Sequence, residues 1–314
     1  MFNKEKKEAF SRLKRLDLSE LKLERRKLFL VPLGRSICLS DLSKPSVKNY
    51  LKKKLLLIPT WKKRLLYLLL IFNMFPKVEV YLPRDIDLVR FGCRSKLFNF
   101  NKKEVIVFDE DFREYNSKKN KKNILNFPKI IKVKKNFYIE ELIWPQEKIR
   151  NRDIIYAYKK LVDIYKKTLL EISASGVISF MEERKFGRLS LVLDLDRFKL
   201  EKFKCGLVHG DFWKGNLLKK GGEMFFVDLD NFGKGLIVED LFVFFLSGYK
   251  YKKKIDKNFM KRLTLVLKKE IKLSNKELIN QTNLISTLLL IGKEEEDIKG
   301  ITKTRKAFLS ILEK

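Results

Sequence analysis

The chain contains one histidine. It stands in the run Leu207-Val208-His209-Gly210-Asp211-Phe212-Trp213-Lys214-Gly215-Asn216. Twelve residues beyond Asn216 comes Asp228, within Phe225-Phe226-Val227-Asp228-Leu229-Asp230. An apolar strand that ends in a carboxylate aims that carboxylate at the strand's exposed end. A tight His-Gly-Asp turn presents a second carboxylate, and Asn216 adds an amide oxygen a short loop away. Asp211, Asn216 and Asp228 are hard oxygen ligands or proton acceptors, the set that phosphoryl transfer requires. In such a site one carboxylate accepts the proton of an attacking hydroxyl. The amide and the other carboxylate hold Mg²⁺ against nucleotide phosphates.

The pattern HGDxxxxN, followed by an apolar strand with DxD, resembles the aminoglycoside phosphotransferase and choline kinase group of protein-kinase-like enzymes. The resemblance covers roughly residues 87–249 and is specific in the segment just quoted. It implies an α+β, bilobal protein-kinase-like fold with a small β-rich N-lobe and a mostly helical C-lobe. It implies ATP and Mg²⁺ as cofactors. By the same resemblance Asp211 matches the catalytic base, and Asn216 and Asp228 match the metal-binding pair. Asp230 matches the second acidic position of the DxD. His209 looks like a structural brace of the loop, and Asp240, in Glu239-Asp240-Leu241, like the downstream aspartate that anchors it. The run from Arg25 to Gly34 (RRKLFLVPLG) resembles the start of kinase-like proteins from cell-surface polysaccharide pathways.

The nucleotide-clamping half departs from that pattern. Residues 88–100 predict a strand-turn-strand over the phosphates, with Gly92 at its tip and Arg94, Ser95 and Lys96 as donors. The next strand, Glu104-Val105-Ile106-Val107-Phe108, has no central lysine to pair with the phosphates. Lys96, Lys102 or Lys103 stand near enough in sequence to substitute. Glu114 is either the carboxylate partner on the following helix or a solvated charge. Glu141, Leu142 and Ile143 fall where a hinge would meet the adenine through its backbone.

Several elements must position these groups. Residues 1–76 read as a basic accessory segment: a charged helix over 4–26, a short strand at 28–32 and a basic, apolar helical region over 47–75. Residues 77–143 form the nucleotide-binding lobe. Their short runs at 87–91, 96–100, 104–108, 129–133 and 136–143 predict five strands, with one helix after the third. Residues 144–314 form the catalytic and acceptor-binding lobe. Apolar spacing predicts a helix over 153–173. Lys220-Gly221-Gly222-Glu223 predicts a hairpin turn, and residues 236–314 read as helical. The acceptor pocket would come from about 176–200 and the last sixty residues.

Composition narrows the partners. Among 314 residues, 45% are hydrophobic and 12% aromatic, which excludes wholesale disorder. Lysine plus arginine number 70 against 39 acidic residues, a formal net charge of +31. That surface disfavours a polycationic acceptor and favours a neutral or anionic one, such as a sugar or saccharide. Three cysteines allow no disulfide framework and no CxxC metal pair, which fits a reducing, cytoplasmic setting. The first twenty residues lack the apolar core of a signal peptide. The apolar run at 65–75 is too short for the roughly 20 residues of a membrane span. With Trp61, Lys62, Lys63 and Arg64 before it, the run is either a buried core helix or one lying at the inner face of an anionic membrane. Two other function classes stand beside the kinase: a pseudokinase or regulatory module, motivated by the missing lysine, and a basic binder of membrane or nucleic-acid surfaces. No nucleic-acid motif is present, so no specific nucleic-acid partner is expected.

Overall fold

A computed structural model describes residues 7, 11–33, 36–55, 60–91, 94–108, 115–116, 125–144, 147–184, 201–229, 231–252, 254–291 and 295–312. The chain divides into two compact units, Met1–Tyr115 with Pro128–Pro145, and Asn116–Phe127 with Gln146–Lys314. The first is β-rich and the second mostly helical, as the sequence led us to expect.

The first unit is built on eight antiparallel strands: β1 (Leu23–Leu33), β2 (Ser36–Ser40), β3 (Lys77–Pro83), β4 (Leu88–Arg90), β5 (Lys96–Asn99), β6 (Glu104–Phe108), β7 (Ile130–Val133) and β8 (Phe137–Glu141). Their order in the sheet is β3-β1-β2-β4-β5-β6-β8-β7. Strands β4 to β8 are the five read from the alternating runs. The helix expected at 109–123 lies largely outside the described residues.

Within the first 76 residues the strand expected at 28–32 lies inside β1 and the region expected to be helical over 47–75 holds two helices, but the charged helix expected over 4–26 does not run to residue 26. The charged run near residue 26 is strand, and β1 and β2 continue the same sheet as β4 to β8. The division at residue 76 therefore does not separate two units. The reason is cross-strand pairing. Arg25 bonds to Glu79 on β3, and Arg26 donates to the Pro83 carbonyl at 3.3 Å and to that of Ile86. Alternation on β3 buries Val78, Val80 and Leu82 and exposes Lys77, Glu79 and Tyr81. Both faces of the sheet are covered. One carries Leu28, Leu30, Val80, Ile106 and Phe108. The other carries Val31, Leu88, Val105 and Val107 beneath Tyr50 and Leu51 of helix α1 (Pro45–Leu55). Helix α2 (Thr60–Ile71) adds Leu70 to that second cluster. Buried Asp87 pins the entry to β4, accepting the Phe100 N–H at 2.7 Å and pairing with Lys44.

The second unit holds a three-stranded sheet, β9 (Leu170–Ser173), β10 (Lys202–Val208) and β13 (Gly233–Leu236), in the order β13-β10-β9. A separate hairpin joins β11 (Leu217–Lys220) to β12 (Glu223–Phe226). The predicted glycine turn is its tip, with Gly221 and Gly222 at φ +59° and +81°. Among the described residues six helices complete the unit: α3 (Asn151–Thr168), α4 (Ala174–Glu183), α5 (Glu239–Lys252), α6 (Lys257–Ile271), α7 (Asn275–Leu290) and α8 (Glu295–Leu312). The predicted helix over 153–173 stops early. Leu170–Ser173 instead pairs with β10, turning Leu170 and Ile172 toward the core and Glu171 and Ser173 outward. Period-two placement suits an edge strand. The buried stripe of α3, from Ile154 through Tyr158, Leu161 and Val162 to Tyr165, packs into one core with Phe212, Phe226, Leu241 and Phe242.

Candidate active site

Strand β10 delivers the chain to the loop at 209–216. The turn there requires glycine: Gly210 has φ +75°, and a Cβ on it would lie 2.2 Å from the Asn231 carbonyl oxygen. Asp240, the second residue of α5, holds the loop's start. Its buried carboxylate accepts the His209 N–H at 2.8 Å, the Gly210 N–H at 2.7 Å and the Tyr165 hydroxyl at 2.6 Å. A carboxylate in the first turn of a helix also meets the favourable end of the helix dipole. Burial holds the Tyr165 and Tyr158 phenols well above their usual pKa, so Tyr165 remains a donor.

The loop then joins two of the expected chemical groups. The Asn216 side chain donates through Nδ2 to both the backbone carbonyl and the carboxylate Oδ2 of Asp211, each at 2.9 Å. Both partners are acceptors, so the amide can face them only with its NH₂ group. The remaining oxygen, Oδ1, is the atom left to meet a ligand. A single 3₁₀ turn, Lys214–Asn216, sets this placement, with the Asn216 N–H on the Trp213 carbonyl at 3.0 Å. Gly215 lies against the Trp213 ring, where a Cβ would come within 2.2 Å of ring carbon.

Asp228 follows β12. The Val227 N–H donates to the Asn216 carbonyl at 3.0 Å, so the strand end and the loop are tied one residue before the carboxylate. Asp228 has φ +66° and is half-buried. A non-glycine residue in that region is uncommon and marks a position fixed by its surroundings.

His209 is fully buried, with ring centroids of Phe212 and Phe226 at 6.4 and 6.1 Å. Burial pushes its pKa below the ordinary imidazole value, against the opposing charges of Asp240 and Asp228. The two described cysteines, Cys38 and Cys205, are buried, and burial pushes their thiols up to about 11 and about 12. Neither suits a nucleophile.

A second brace was not visible in the sequence. Arg184 forms a buried, two-pronged pair with Glu239, Nη1 to Oε1 at 2.9 Å and Nη2 to Oε2 at 2.7 Å. Its Nη1 also reaches the Asn231 carbonyl at 3.1 Å, the oxygen that crowds Gly210. Burial raises the Glu239 carboxyl pKa, and the Arg184 charge pulls it back. Glu239 stands beside Asp240 in a recognisable Glu-Asp pair, whereas Arg184 and Tyr165 belong to no spacing that singles them out.

The nucleotide-side residues lie in the other unit. Gly92, Asp230 and Glu114 fall outside the described residues. Arg94, Ser95 and Lys96 precede or open β5, and the Ser95 carbonyl accepts the Phe108 N–H at 3.0 Å. On β6, Val105 and Val107 enter one apolar cluster and Ile106 and Phe108 the other, so neither face has room for a lysine ammonium. Lys102 is paired with Asp85 at 2.5 Å. Lys103 sits in the β5–β6 turn at φ +56°. Two of the expected hinge donors are committed within the protein: the Glu141 N–H to the Lys129 carbonyl at 2.8 Å and the Leu142 N–H to the Lys103 carbonyl at 2.7 Å. Ile143 is buried.

Among the described residues no three His, Cys, Asp or Glu side chains gather as a metal cage. A nucleotide-bound Mg²⁺ does not need one, since it keeps waters and phosphates and takes only one or two protein carboxylates. The Asn216 Oδ1 and the Asp228 carboxylate have the hard-oxygen chemistry that this ion takes. No helix of the described residues is long and apolar enough to cross a membrane.

No protein-family model and no curated protein matches the chain. Among solved structures it is similar to the gentamicin complex of APH(2″)-IIa, at 16% identity over 69% of this chain and 87% of that one, with a TM-score of 0.40. It is similar to the choline kinase LicA from Streptococcus pneumoniae, at 12% identity over 70% and 92%, with a TM-score of 0.42. It is also similar to an ethanolamine kinase from Plasmodium vivax, at 13% identity over 83% and 93%, with a TM-score of 0.40.

Proposed function

We propose that the chain is a phosphotransferase that moves the γ-phosphoryl group of ATP to a hydroxyl of a small molecule, a sugar or saccharide, with Mg²⁺. The observation that carries this reading is the Asn216 amide fixed against Asp211, with the strand end before Asp228 bonded to the same asparagine. Asp211 accepts the proton of the acceptor hydroxyl. The hydroxyl oxygen forms the new bond to phosphorus as the bond to the β,γ-bridging oxygen breaks, and ADP leaves. Asn216 and Asp228, with Asp230 as a further candidate from the sequence, would hold Mg²⁺, which would neutralise charge on the phosphates. His209 and Asp240 act through the loop backbone. Arg94, Ser95, Lys96 and Lys103 are the phosphate-side donors, with Gly92 a candidate from its place in the sequence, and Glu141 to Ile143 border the adenine. With two of those hinge N–H groups already bonded, the adenine would meet carbonyls or the Ile143 N–H. The net charge of +31 supports a neutral or anionic acceptor.

Consumption of ATP over a panel of sugars tests the reading. The Asp211→Asn variant should lose about 10²- to 10⁴-fold in kcat while binding nucleotide normally, the range for a general base. Turnover retained in that variant would remove Asp211 from the base position. A second reading, a nucleotide-binding module without transfer, is favoured by one observation: β6 is apolar on both faces. Alanine at Lys96, Lys102 and Lys103, one at a time, separates the two readings on the phosphate side. If none alters ATP affinity, the clamp is not among them.

A further inference from the structure

Helix α2 leaves an unusual surface uncovered. Leu70 and, past the helix, Phe75 are buried, and Leu66 and Leu69 pack partly against the same cluster. The opposite stripe faces solvent. Trp61 is 68% exposed, Leu65 52%, Leu68 50% and Phe72 66%. The spacing i, i+4, i+7, i+11 places all four on one helical face. Asn73 then adopts a left-handed conformation and the Met74 N–H returns to the Leu69 carbonyl at 2.9 Å, which ends the helix and leaves Met74 exposed beside the stripe. Tyr67 and Ile71 are exposed on its flanks. The sequence reading left this run as either a core helix or an interfacial one. The structure buries only its inner edge.

The charge along this segment has one sign. Residues 42–78 contain nine lysines and arginines and no aspartate or glutamate. Exposed Arg64 lies between the apolar side chains, and the Lys52 ammonium sits 5.6 Å from the Tyr67 ring centroid. Contiguous apolar patches on a soluble surface mark an interaction site. A short helix with Trp, Leu and Phe on one face, set among basic residues, has the chemistry of a bilayer interface, apolar side chains entering the acyl boundary while cations meet lipid phosphates. At twelve residues α2 cannot span a bilayer. We infer that α2 and the turn after it dock the protein onto the surface of an anionic phospholipid bilayer. This inference does not rest on the phosphotransfer reading.

Vesicle flotation of the full chain tests it, using phosphatidylcholine with and without phosphatidylglycerol. A variant carrying Leu65→Ser, Leu68→Ser and Phe72→Ser removes apolar area without altering charge. All three side chains are at least half exposed, so its thermal unfolding should match the parent. The parent should float with phosphatidylglycerol vesicles, less so as salt rises, and about tenfold more than with phosphatidylcholine alone. The triple variant should lose about tenfold or more of that binding. Equal flotation of parent and variant would show a purely electrostatic contact and overturn the docking face. So would absence of flotation, alone or with a self-associated parent that the triple variant converts to monomer, which would assign the patch to a second copy of the chain.

Discussion

The imidazole of His209 packs against Phe212 and Phe226, and its backbone N–H is bonded to the Asp240 carboxylate. Because burial depresses its pKa, the folded state holds the ring neutral. The unfolded chain takes up a proton near the ordinary imidazole value of 6.5. The stability from this residue is therefore complete above that pH and declines as pH falls toward the depressed folded value. Since the chain has one histidine, the effect is assignable. Unfolding free energy should fall as pH drops below about 6.5, with a slope of at most about 1.4 kcal/mol per pH unit for this one proton, and His209→Gln should flatten that slope. Glu239, with its raised carboxyl pKa, works in the opposite sense, but it does so equally in parent and variant. Identical slopes would show that the ring is already protonated in the fold. At this scale the sequence was most informative: a lone histidine, a turn glycine and three oxygen-bearing side chains stood at short, fixed spacings. What it did not contain was the direction of the Asn216 amide, which depends on two acceptors of Asp211 facing the same hydrogens.

Two elements brace the loop from outside, the first turn of α5 and the end of α4. Asp240 reaches the loop's amides, and Glu239, one residue earlier, is paired with Arg184 just after α4. Both members of the pair are buried, so removing one leaves the other as an uncompensated charge. Arg184→Met should cost about 3–5 kcal/mol in urea unfolding, and adding Glu239→Met should recover much of that loss. A single-variant cost under about 1 kcal/mol would show that water reaches the pair. These braces were only half legible. Asp240 lies close in sequence to an expected strand-loop motif, but Arg184 meets its partner across a gap of 55 residues. Strands β9, β10 and β13 were all missed, β9 and β13 for a related reason. Leu170–Ser173 continues an apolar helical period until β10 pairs with it, and Gly-Lys-Gly-Leu has no alternation at all.

At the scale of the whole molecule, the first unit takes β1 and β2 from the segment that composition alone had set apart. Charge there hid only the first part of β1, before the expected strand at 28–32, because Arg25 and Arg26 bond across to β3. A chain beginning at residue 77 would lose both strands and helices α1 and α2, uncovering β4 along one edge and one face of the sheet. Such a chain should lose the first unit's cooperative unfolding and bind a hydrophobic dye. Unchanged near-ultraviolet circular dichroism per aromatic residue retained would mean that residues 1–76 are an appendage after all. The two-unit plan and the five later strands were readable from texture, since alternating runs and turn residues are local signals. The wider sheet was not, because strand partners such as Leu23 and Pro83 lie 60 residues apart.

Nucleotide binding links the site to the stability of the protein, since a ligand held only by the native state raises its unfolding temperature. Thermal unfolding should therefore be compared in three conditions: without ligand, with ATP and Mg²⁺, and with ATP and EDTA. The proposed site predicts an upward shift that requires the metal and disappears in Asp228→Asn, equivalent to about 2.7 kcal/mol at a hundredfold excess over Kd. No shift at millimolar nucleotide, or the same shift with EDTA and in Asp228→Asn, would contradict a metal-dependent phosphotransfer site at Asp211, Asn216 and Asp228.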